Sequence, residues 1–423
     1  MKKIILYFIL SLAVVIGLYT ILKPKKQSLP NVVLIFTDDQ GYGDLSIYGS
    51  ETINTPHLDA LAQSGMRFTD FHVASSVCTP SRAALLTGCY PDRVGLPKVL
   101  FPNGPYTSNP NVGINPDEET IAELLKKKGY ATAMAGKWHL GHKQKFLPLQ
   151  HGFDSYLGVP YSNDMSKGEL PLVKDNKVVE VDIDQSLLTK RYTDFGIDFI
   201  KSKAGKVPFF LYLAHTMPHI PLAASSNYKG TSKGGLYGDV IEEIDGSVGA
   251  IIRELKDQGL LKNTLVIFTS DNGPWLVMDE RGGSAGLLRS GKGTTWEGGM
   301  REPTLFWWPG TIEAGSVCRD IGSALDLFAT FVALGQGTAG GEDSLNLMPA
   351  LKGGISPRSE FFFYRKEELY AVRSGPWKLH LITEGAWGDG EPRIKYENPL
   401  LFHLGHDPSE KYNVADKHTN VVE

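Results

Sequence analysis

The stretch Asn31-Val-Val-Leu-Ile-Phe-Thr37, which runs directly into Asp38-Asp39, decides the fold class of this chain. Its residues are mostly apolar and β-branched, a pattern typical of a strand that is buried on both faces of a parallel sheet. The stretch 264–270 has the same character and runs into Asp271-Asn272. The sequence therefore predicts an α/β fold with a large, mostly parallel sheet between layers of helices.

Oxygen-bearing side chains follow both of these strands: Asp38 and Asp39 after the first, Asp271 and Asn272 after the second. Open α/β sheets bind ligands outside the carboxyl ends of their strands, and adjacent carboxylates repel one another unless a cation lies between them. Such ligands suit Ca²⁺ or Mg²⁺ better than zinc, and Ca²⁺ is favoured because its coordination shell is flexible. The sequence predicts a divalent-cation site here; the alternative for each pair is a solvated turn.

The segment Val77-Cys-Thr-Pro-Ser-Arg-Ala-Ala-Leu-Leu-Thr-Gly88 is predicted to be a helix that carries a nucleophile at its start. Pro80 fits a first helical turn, and Gly88 can close the helix. Free amide groups at a helix N-terminus favour an anion, and Arg82 lies one turn after Cys78 on the same face. This arrangement suits chemistry on a tetrahedral oxyanion. The alternative is a buried cysteine beside an ordinary helix.

Three further segments carry charged or titratable residues after predicted strands or in a glycine-rich loop. Lys137 and His139 follow the strand 130–135, His219 follows the strand 208–214, and Lys292 lies in the loop 289–303. The glycines of that loop lack the spacing of a phosphate-binding P-loop. Taken alone, Lys137 and His139 are more typical of a surface lysine and a core histidine, whereas His219 and Lys292 are as typical of ordinary loop residues as of a site.

Several motifs together resemble those of the type I, formylglycine-dependent sulfatases of the alkaline phosphatase superfamily. They are Cys78-Thr-Pro-Ser-Arg82, Leu85-Leu-Thr-Gly88, Gly136-Lys-Trp-His-Leu-Gly141 and Gly291-Lys-Gly-Thr-Thr-Trp-Glu-Gly-Gly299. They occur in the order found in that family, and the resemblance spans about Asn31 to Asn413 and looks closest to the arylsulfatase A branch. It implies an alkaline-phosphatase-like fold and hydrolysis of sulfate monoesters, on a sulfated carbohydrate or an aryl sulfate.

The resemblance also implies a role for each candidate residue. Cys78 matches the position that a maturation enzyme converts to formylglycine, whose hydrate is the nucleophile and touches a calcium ion. The implied metal ligands are Asp38, Asp39, Cys78, Asp271 and Asn272. The implied catalytic residues are Cys78, Arg82, Lys137, His139, His219 and Lys292. The implied substrate-binding residues are Lys137, Ser162, His219 and Lys292.

The composition and the N-terminal segment indicate what the chain binds, how its cysteines are used and where it is located. The formal net charge of −4 gives no basic field for nucleic acid, and three cysteines are too few for a disulfide scaffold. If Cys78 is converted, Cys89 and Cys318 either pair or stay reduced. An apolar run over residues 4–22, flanked by lysines, predicts export through a signal peptide or a membrane anchor. The catalytic domain is then periplasmic, secreted or anchored outside the cytoplasm.

The pattern changes after about residue 355 to short strands with turns, which predicts a small antiparallel sheet. The expected division is 1–27 as signal peptide or anchor, 28–350 as the catalytic α/β domain and 351–423 as a C-terminal α+β subdomain. Three loops (96–116, 161–181 and 275–288) and this subdomain are expected to shape the substrate site. Two alternatives remain open: a phosphonate or phosphate ester hydrolase of the same superfamily, and an inactive homologue that binds sulfated glycans.

Overall fold

The computed structural model describes residues 29–102, 112–165, 169–338, 340–387 and 391–423. Its strands are β1 (Asn31–Thr37), β2 (Met66–Phe68), β3 (Phe71–His72), β4 (Ala131–Lys137), β5 (Ser155–Val159), β6 (Leu172–Lys174), β7 (Lys177–Glu180), β8 (Phe209–Ala214), β9 (Thr264–Ser270), β10 (Thr304–Trp307), β11 (Ser316–Cys318), β12 (Gly322–Ser323), β13 (Glu360–Arg365), β14 (Glu368–Ser374), β15 (Trp377–Thr383) and β16 (Ile394–His403). Its α-helices are α1 (Pro56–Ser64), α2 (Cys78–Thr87), α3 (Ile121–Lys127), α4 (Leu188–Lys203), α5 (Gly235–Asp257), α6 (Glu297–Met300), α7 (Asp326–Leu334), α8 (Met348–Leu351) and α9 (Thr419–Val422).

The large sheet has the strand order β11-β2-β10-β9-β1-β8-β4-β5-β6-β7. Its central strands β9, β1, β8, β4 and β5 are all parallel, with Val33 opposite Leu211 on one side and Val266 on the other. Strands β10, β6 and β7 pair in the antiparallel sense toward the two edges. The predicted α/β fold is confirmed, and the carboxyl ends of its central strands lie at one edge of the sheet.

Two apolar cores cover the two faces of this sheet, which explains the unbroken apolar run of β1. Val32, Leu34 and Phe36 lie in one core, and Val33 and Ile35 lie in the other. Side chains alternate between the faces of a strand, so both sets must be apolar when both faces are covered. Helices α2, α3 and α7 contribute to the first core, and α1, α4 and α5 contribute to the second.

Helix α5 begins one turn earlier than its apolar stripe predicts, at Gly235 rather than Asp239. The additional turn contains two glycines and has weak helix propensity. Its Tyr237 hydroxyl donates a hydrogen bond to Asp44 Oδ2 at 2.5 Å, and this tertiary contact holds the turn in place.

The C-terminal part forms a second, four-stranded antiparallel sheet in the order β13-β14-β15-β16. The apolar residues near the end of β16 predict a strand over 400–404, but the strand begins earlier, at Ile394, in a first half that carries exposed, charged residues. The short strands β5, β6 and β7 lack a long apolar run, and they were not predicted from the sequence. The helix expected near the end is the single turn α9.

Buried ion pairs join this small sheet to the large domain. The Arg373 guanidinium donates to both carboxylate oxygens of Asp70, at 2.9 and 2.5 Å. Lys378 donates to Glu297 Oε1 at 2.9 Å, and the Glu297 amide donates to Glu410 Oε2 at 2.7 Å. Burial would raise the pKa of Glu297, but Lys378 and its other cationic neighbours hold it well below its usual value. The segment 295–300, after the Lys292 loop, therefore rests on the C-terminal sheet.

The predicted N-terminal signal or anchor (residues 4–22) lies outside the described residues. Within the ranges that the structure describes, no helix has the length and apolar character needed to span a bilayer. Cys89 and Cys318, whose pairing the sequence left open, are both unpaired and buried.

Candidate active site

The carboxyl ends of β1, β4 and β9 bring together the acidic and basic residues that the sequence singled out. Asp38 and Asp39 follow β1, Asp271 and Asn272 follow β9, and Lys137 is the last residue of β4. All five side chains are buried. They meet because these strands are parallel neighbours around β1 and β8, so their ends lie side by side.

Asp39 is held in an unusual backbone conformation, with φ of 64°, by bonds that cross between β1 and β9. Its amide donates to Asp271 Oδ1 at 3.1 Å, and Asn272 Nδ2 donates to its Oδ1 at 2.7 Å. A left-handed backbone conformation is uncommon for residues other than glycine, and such residues cluster at functional sites. Here it turns the Asp39 carboxylate toward the ends of the neighbouring strands.

Cys78 begins α2, a helix whose ten residues are all buried. Val77 before it is extended, and Gly88 closes the helix in the left-handed region with φ of 67°, as the sequence predicts. The Cys78 thiol is 3% exposed and donates to Asp38 Oδ1 at 3.6 Å. Burial raises the pKa of this thiol far above its ordinary value, although Lys137 and Lys292 oppose the shift. The side chain is therefore a neutral thiol, which is a poor nucleophile.

Arg82 lies one turn further along α2 and connects it to two strand ends. Its Nε and Nη2 donate to Asp271 Oδ2 at 3.0 and 2.8 Å, and Nη1 donates to the Lys137 carbonyl at 3.0 Å. Nη2 also lies 3.5 Å from Asp38 Oδ2. The fork thus fixes the carboxylate of Asp271 and the end of β4 against the start of the helix.

Each aspartate after β1 has a lysine partner. Lys137 Nζ lies 2.5 Å from Asp38 Oδ2 and donates to Ser162 Oγ at 3.1 Å. Lys292 Nζ lies 2.6 Å from Asp39 Oδ2. Burial would lower the pKa of both lysines, but the paired aspartates raise it above the usual value. Both ammonium groups therefore stay charged.

His219 lies between Asp39 and Ser162. Its Nε2 is 3.5 Å from Asp39 Oδ2 and 3.4 Å from Ser162 Oγ, and its Nδ1 lies 2.6 Å from the Ile220 carbonyl, to which it donates. Burial lowers the pKa of His219, and Lys292 lowers it further. The neutral ring therefore presents the Nε2 lone pair to the site.

His139 lies beside the cluster rather than in hydrogen-bond contact with it. Its Nε2 donates to the Leu100 carbonyl at 2.8 Å, and its Nδ1 is buried without a hydrogen-bond partner. Burial, followed by Lys137, holds the pKa of His139 well below its usual value. Its own carbonyl accepts a bond from the Thr79 hydroxyl at 3.0 Å, which ties it to the first turn of α2.

The residues present fit a divalent cation. One ligand atom from each of Asp38, Asp39, Cys78 and His219 lies within 4.8 Å of the others. Asn272 Oδ1 is buried and has no hydrogen-bond partner, a cost that a bound cation would remove. Burial, with Asp38, raises the pKa of Asp271 to about 7 despite Arg82. Crowded carboxylates of this kind favour a cation between them.

The formal charges of the site also indicate what it binds. Three carboxylates (Asp38, Asp39 and Asp271) face three cationic side chains (Arg82, Lys137 and Lys292). The side chains alone are thus close to neutral, and a divalent cation makes the site positive. Such a site suits an anionic substrate group that accepts hydrogen bonds from lysine and arginine.

Four further residues at this site were not predicted from the sequence. Glu302 is fully buried with both carboxylate oxygens unpartnered, and burial followed by Asp271 raises its pKa well above the usual value. Gln40 has a buried amide without a side-chain partner. Trp275 and Trp387 lie over Lys292. No motif or spacing in the sequence marks these four residues as part of a site. The one available signal concerned Gln40, which directly follows the aspartate pair Asp38-Asp39.

Family models match both parts of the chain. The model described as Sulfatase matches residues 30–337, and the model described as the C-terminal region of aryl-sulfatase matches residues 356–423. The first match alone covers more than half of the chain, and it contains every site residue that was predicted from the sequence.

Individual relatives match over nearly the same length. Bovine arylsulfatase A is 42% identical over 93% of this chain and 85% of its own length. Human N-acetylgalactosamine-6-sulfatase is 40% identical over 91% of this chain and 81% of its own length. The solved structure of Ps i-CgsB in complex with k-i-k-neocarrahexaose has a TM-score of 0.80 and 31% identity, covering 93% of this chain and 90% of that one.

Sulfatases of this family are generally dependent on formylglycine and calcium. The motifs, the fold, the clustered residues and these matches lead to one conclusion: the chain belongs to the sulfatase family and is an arylsulfatase-like sulfuric ester hydrolase.

Proposed function

We propose that this sulfatase removes sulfate from a sulfated carbohydrate, with residue 78 matured from cysteine to formylglycine and a calcium ion at the strand ends. The carrying observation is the Cys78 thiol, which is neutral and buried at the start of α2, yet lies 3.6 Å from Asp38 in a cluster of three carboxylates and three cations. A site with this charge arrangement suits an anionic group. The unmodified, neutral thiol, however, is too weak a nucleophile to attack such a group.

Calcium would be held by Asp38, Asp39, Asp271 and Asn272, together with the matured residue 78. When bound, it would stabilise negative charge on the sulfuryl oxygens. Calcium is preferred to magnesium because its flexible coordination shell could also accept a sulfate oxygen and the hydrated aldehyde, whereas magnesium demands near-octahedral geometry. Formylglycine would supply a hydrated aldehyde as the nucleophile, and its formation requires a maturation enzyme as a partner.

The cationic side chains would bind the sulfuryl group. Lys137 lies between Asp38 and Ser162, so Lys137 and Ser162 together would hold sulfuryl oxygens on that side. Arg82 would act mainly by fixing Asp271, to which two of its nitrogens already donate. Fixed donors of this kind stabilise developing charge without reorganising during the reaction.

The remaining residues would move protons. Lys292 and His219 both contact Asp39 Oδ2, so we assign them to the same side, next to the leaving alcohol. The charged Lys292 ammonium group would donate a proton to the leaving oxygen and regain one from solvent, and the lone pair of neutral His219 Nε2 would accept a hydrogen bond beside it. Asp271 would accept the proton that the attacking hydroxyl loses. His139 carries its free lone pair at Nδ1, and we assign to it the acceptance of a proton from residue 78 as sulfate leaves.

The names of similar proteins support the proposed substrate class. One relative is named for sulfate at position 6 of N-acetylgalactosamine, and one structural neighbour holds a neocarrahexaose. A sulfated carbohydrate is therefore the first substrate to test, ahead of a simple aryl sulfate.

Co-expression with a formylglycine-generating enzyme tests the nucleophile. We expect peptide mass spectrometry to find the aldehyde at position 78, and turnover of 4-nitrophenyl sulfate to rise with its fraction. Cys78→Ala should abolish turnover while retaining the wild-type melting transition. Full activity in a protein that carries only the unmodified thiol would overturn the assignment.

Matched esters test the reaction class. We expect 4-nitrophenyl sulfate to be hydrolysed with a higher kcat/KM than the corresponding phosphate and phenylphosphonate esters. A strong preference for phosphorus esters would instead support the phosphonate or phosphate hydrolase alternative. Loss of turnover of all three esters in matured protein would support the glycan-binding alternative.

We also propose that the enzyme is exported, with residues 1–27 as signal peptide or anchor, residues 28–350 as the catalytic domain and 351–423 as the C-terminal subdomain. The lysine-flanked apolar run at residues 4–22 supports this proposal. Cell fractionation with N-terminal sequencing of the mature protein distinguishes a cleaved signal from a retained anchor. Recovery of the uncleaved chain in the cytoplasmic fraction would contradict export.

A further inference from the structure

A cleft with a volume of about 630 Å³ opens directly beside the candidate nucleophile. One wall is formed by residues 75–77, immediately before Cys78, and by the segment 97–101. The other wall comes from the C-terminal subdomain, through the turn 365–367 and Trp387. The mechanism above uses none of these wall residues.

The cleft continues the active site rather than lying apart from it. Gly293, the residue after Lys292, lines the cleft. Lys292 Nζ lies 4.4 Å from the centre of the Trp275 ring and 5.9 Å from that of Trp387. The two indole rings are 5.5 Å apart and meet edge to face. A group that leaves from the Asp39 side of the site would therefore pass along these rings.

Trp387 is held in place on one side and open on the other. A Cβ atom added at Gly293 would lie 2.4 Å from Trp387 Cζ3, so the ring packs directly on the backbone beside Lys292. The residue is nevertheless 52% exposed. An immobilised indole with a free face offers apolar contact area at low cost in conformational entropy. The apolar C–H face of a sugar ring suits such a surface.

Cationic side chains surround the other end of the cleft. Lys366 is exposed at the turn between β13 and β14, and Lys98 pairs with Glu367 at 2.7 Å across the two walls. Arg365 is engaged by Glu384 and by two carbonyls of its loop. Lys98 and Arg365 are thus each paired with a carboxylate, and the positive charge that Lys366 adds to the cleft favours an anionic ligand group.

We propose that this cleft is a subsite for the sugar unit linked to the sulfated one. The apolar face of that unit stacks on Trp387, and its own anionic substituent, a sulfate or a carboxylate, pairs with Lys366. The inference rests on the proposed function. It extends that function from a single sulfated sugar to a charged oligosaccharide, whose second unit binds to the C-terminal subdomain.

The test compares oligosaccharides with their own sulfated monosaccharides. The probes are defined fragments of chondroitin 6-sulfate, heparin and κ-carrageenan, each with its matching monosaccharide sulfate, assayed with the matured full-length enzyme. We expect at least one fragment with an anionic second unit to exceed its monosaccharide in kcat/KM by about tenfold or more. That advantage should shrink as salt is added. Fragments with a sulfated and with a carboxylated second unit distinguish the two anions.

Two variants assign this advantage to the cleft. Trp387→Ala and Lys366→Asn should each reduce the ratio of fragment to monosaccharide kcat/KM by about tenfold. Asparagine is chosen at position 366 because that residue has φ of 56°, which asparagine accepts. The charge-matched control is Lys262→Asn, at the opposite edge of the sheet before β9, which should retain the wild-type ratio.

The proposal is overturned if no fragment outperforms its monosaccharide, or if the advantage survives both variants. Turnover of 4-nitrophenyl sulfate by each protein distinguishes failure of the subsite proposal from failure of the proposed sulfatase function. If the matured wild-type enzyme hydrolyses no sulfate ester at all, the proposed function fails, and this inference fails with it.

Discussion

Lys378 donates a hydrogen bond to Glu297 Oε1 at 2.9 Å, and both side chains are fully buried. Lys378 lies on β15 of the small sheet, whereas Glu297 begins α6, five residues after Lys292. The same ammonium group donates to the Thr295 carbonyl at 2.9 Å and lies 3.0 Å from Glu410 Oε1. One lysine of the small sheet thus binds the backbone and side chains of the segment that follows the Lys292 loop.

Replacing Lys378 by methionine should destabilise the protein strongly. The substitution leaves Glu297 and Glu410 buried without their shared cation, and breaking a buried pair in this way costs about 3–5 kcal/mol. Denaturation in guanidinium chloride, followed by tryptophan fluorescence, measures the free energy of unfolding. The matched control is Arg393→Met, which removes a solvent-exposed pair with Glu368 and should leave the free energy of unfolding almost unchanged. An equal loss in the free energy of unfolding for the two variants would contradict the claim that the buried pair contributes more to stability than the exposed one.

Gly293→Ala should disturb the contact between the Lys292 loop and Trp387. The new methyl group would lie 2.4 Å from the indole, at a residue with φ of 85°. The control is Gly259→Ala, with φ of 69° and no neighbouring atom within 4 Å, which carries only the backbone cost of about 1 kcal/mol. We expect the first variant to lose more stability than the second and to show altered Trp fluorescence. Indistinguishable variants would indicate that the indole moves aside freely.

Calcium should raise the melting temperature of chelator-treated enzyme. A ligand that binds only the folded state stabilises it by about 2.7 kcal/mol at a hundredfold excess over its Kd. Asp39→Asn should abolish the calcium-dependent shift. Asp194→Asn removes an exposed carboxylate on α4 and should keep it. Differential scanning calorimetry with calcium and with magnesium measures both effects, and a shift of equal size in all three proteins would disprove the ligand assignment.

His215 should make the protein less stable in mild acid. Burial lowers the pKa of His215 to about 3, whereas an unfolded histidine titrates near 6.5. Between these values the unfolded state binds a proton that the folded state does not, so the free energy of unfolding falls as the pH falls. This one residue contributes up to about 1.4 kcal/mol per pH unit. Urea unfolding at several pH values should show a shallower slope for His215→Gln, and an unchanged slope would refute the contribution.

The sequence was sufficient to predict those parts of the fold that depend on local pattern. Strands β1 and β9 were predicted with their observed bounds because both of their faces are apolar. The same pattern placed Asp38, Asp39, Asp271 and Asn272 at one edge of the sheet. The helix after Val77 was predicted from its proline and its closing glycine, and Gly88 is in the expected left-handed conformation.

Features that depend on distant packing could not be predicted in the same way. Strand β16 begins among exposed charges, and its pairing with β15 is decided by the partner strand. Trp387 acquires its significance only from contact with Gly293, which lies far away along the chain. Glu302 is similarly unremarkable in sequence, yet it lies fully buried near Asp271.

The bond between Asp70 and Arg373 joins residues 303 positions apart and has a consequence for biosynthesis. A ribosome must synthesise the whole intervening stretch before this bond can form. During that time the segment that contains Cys78 has been made, but the pairs that fasten the C-terminal sheet over the neighbouring loop have not. The nascent chain thus has an interval in which a cysteine that the finished fold encloses is not yet covered.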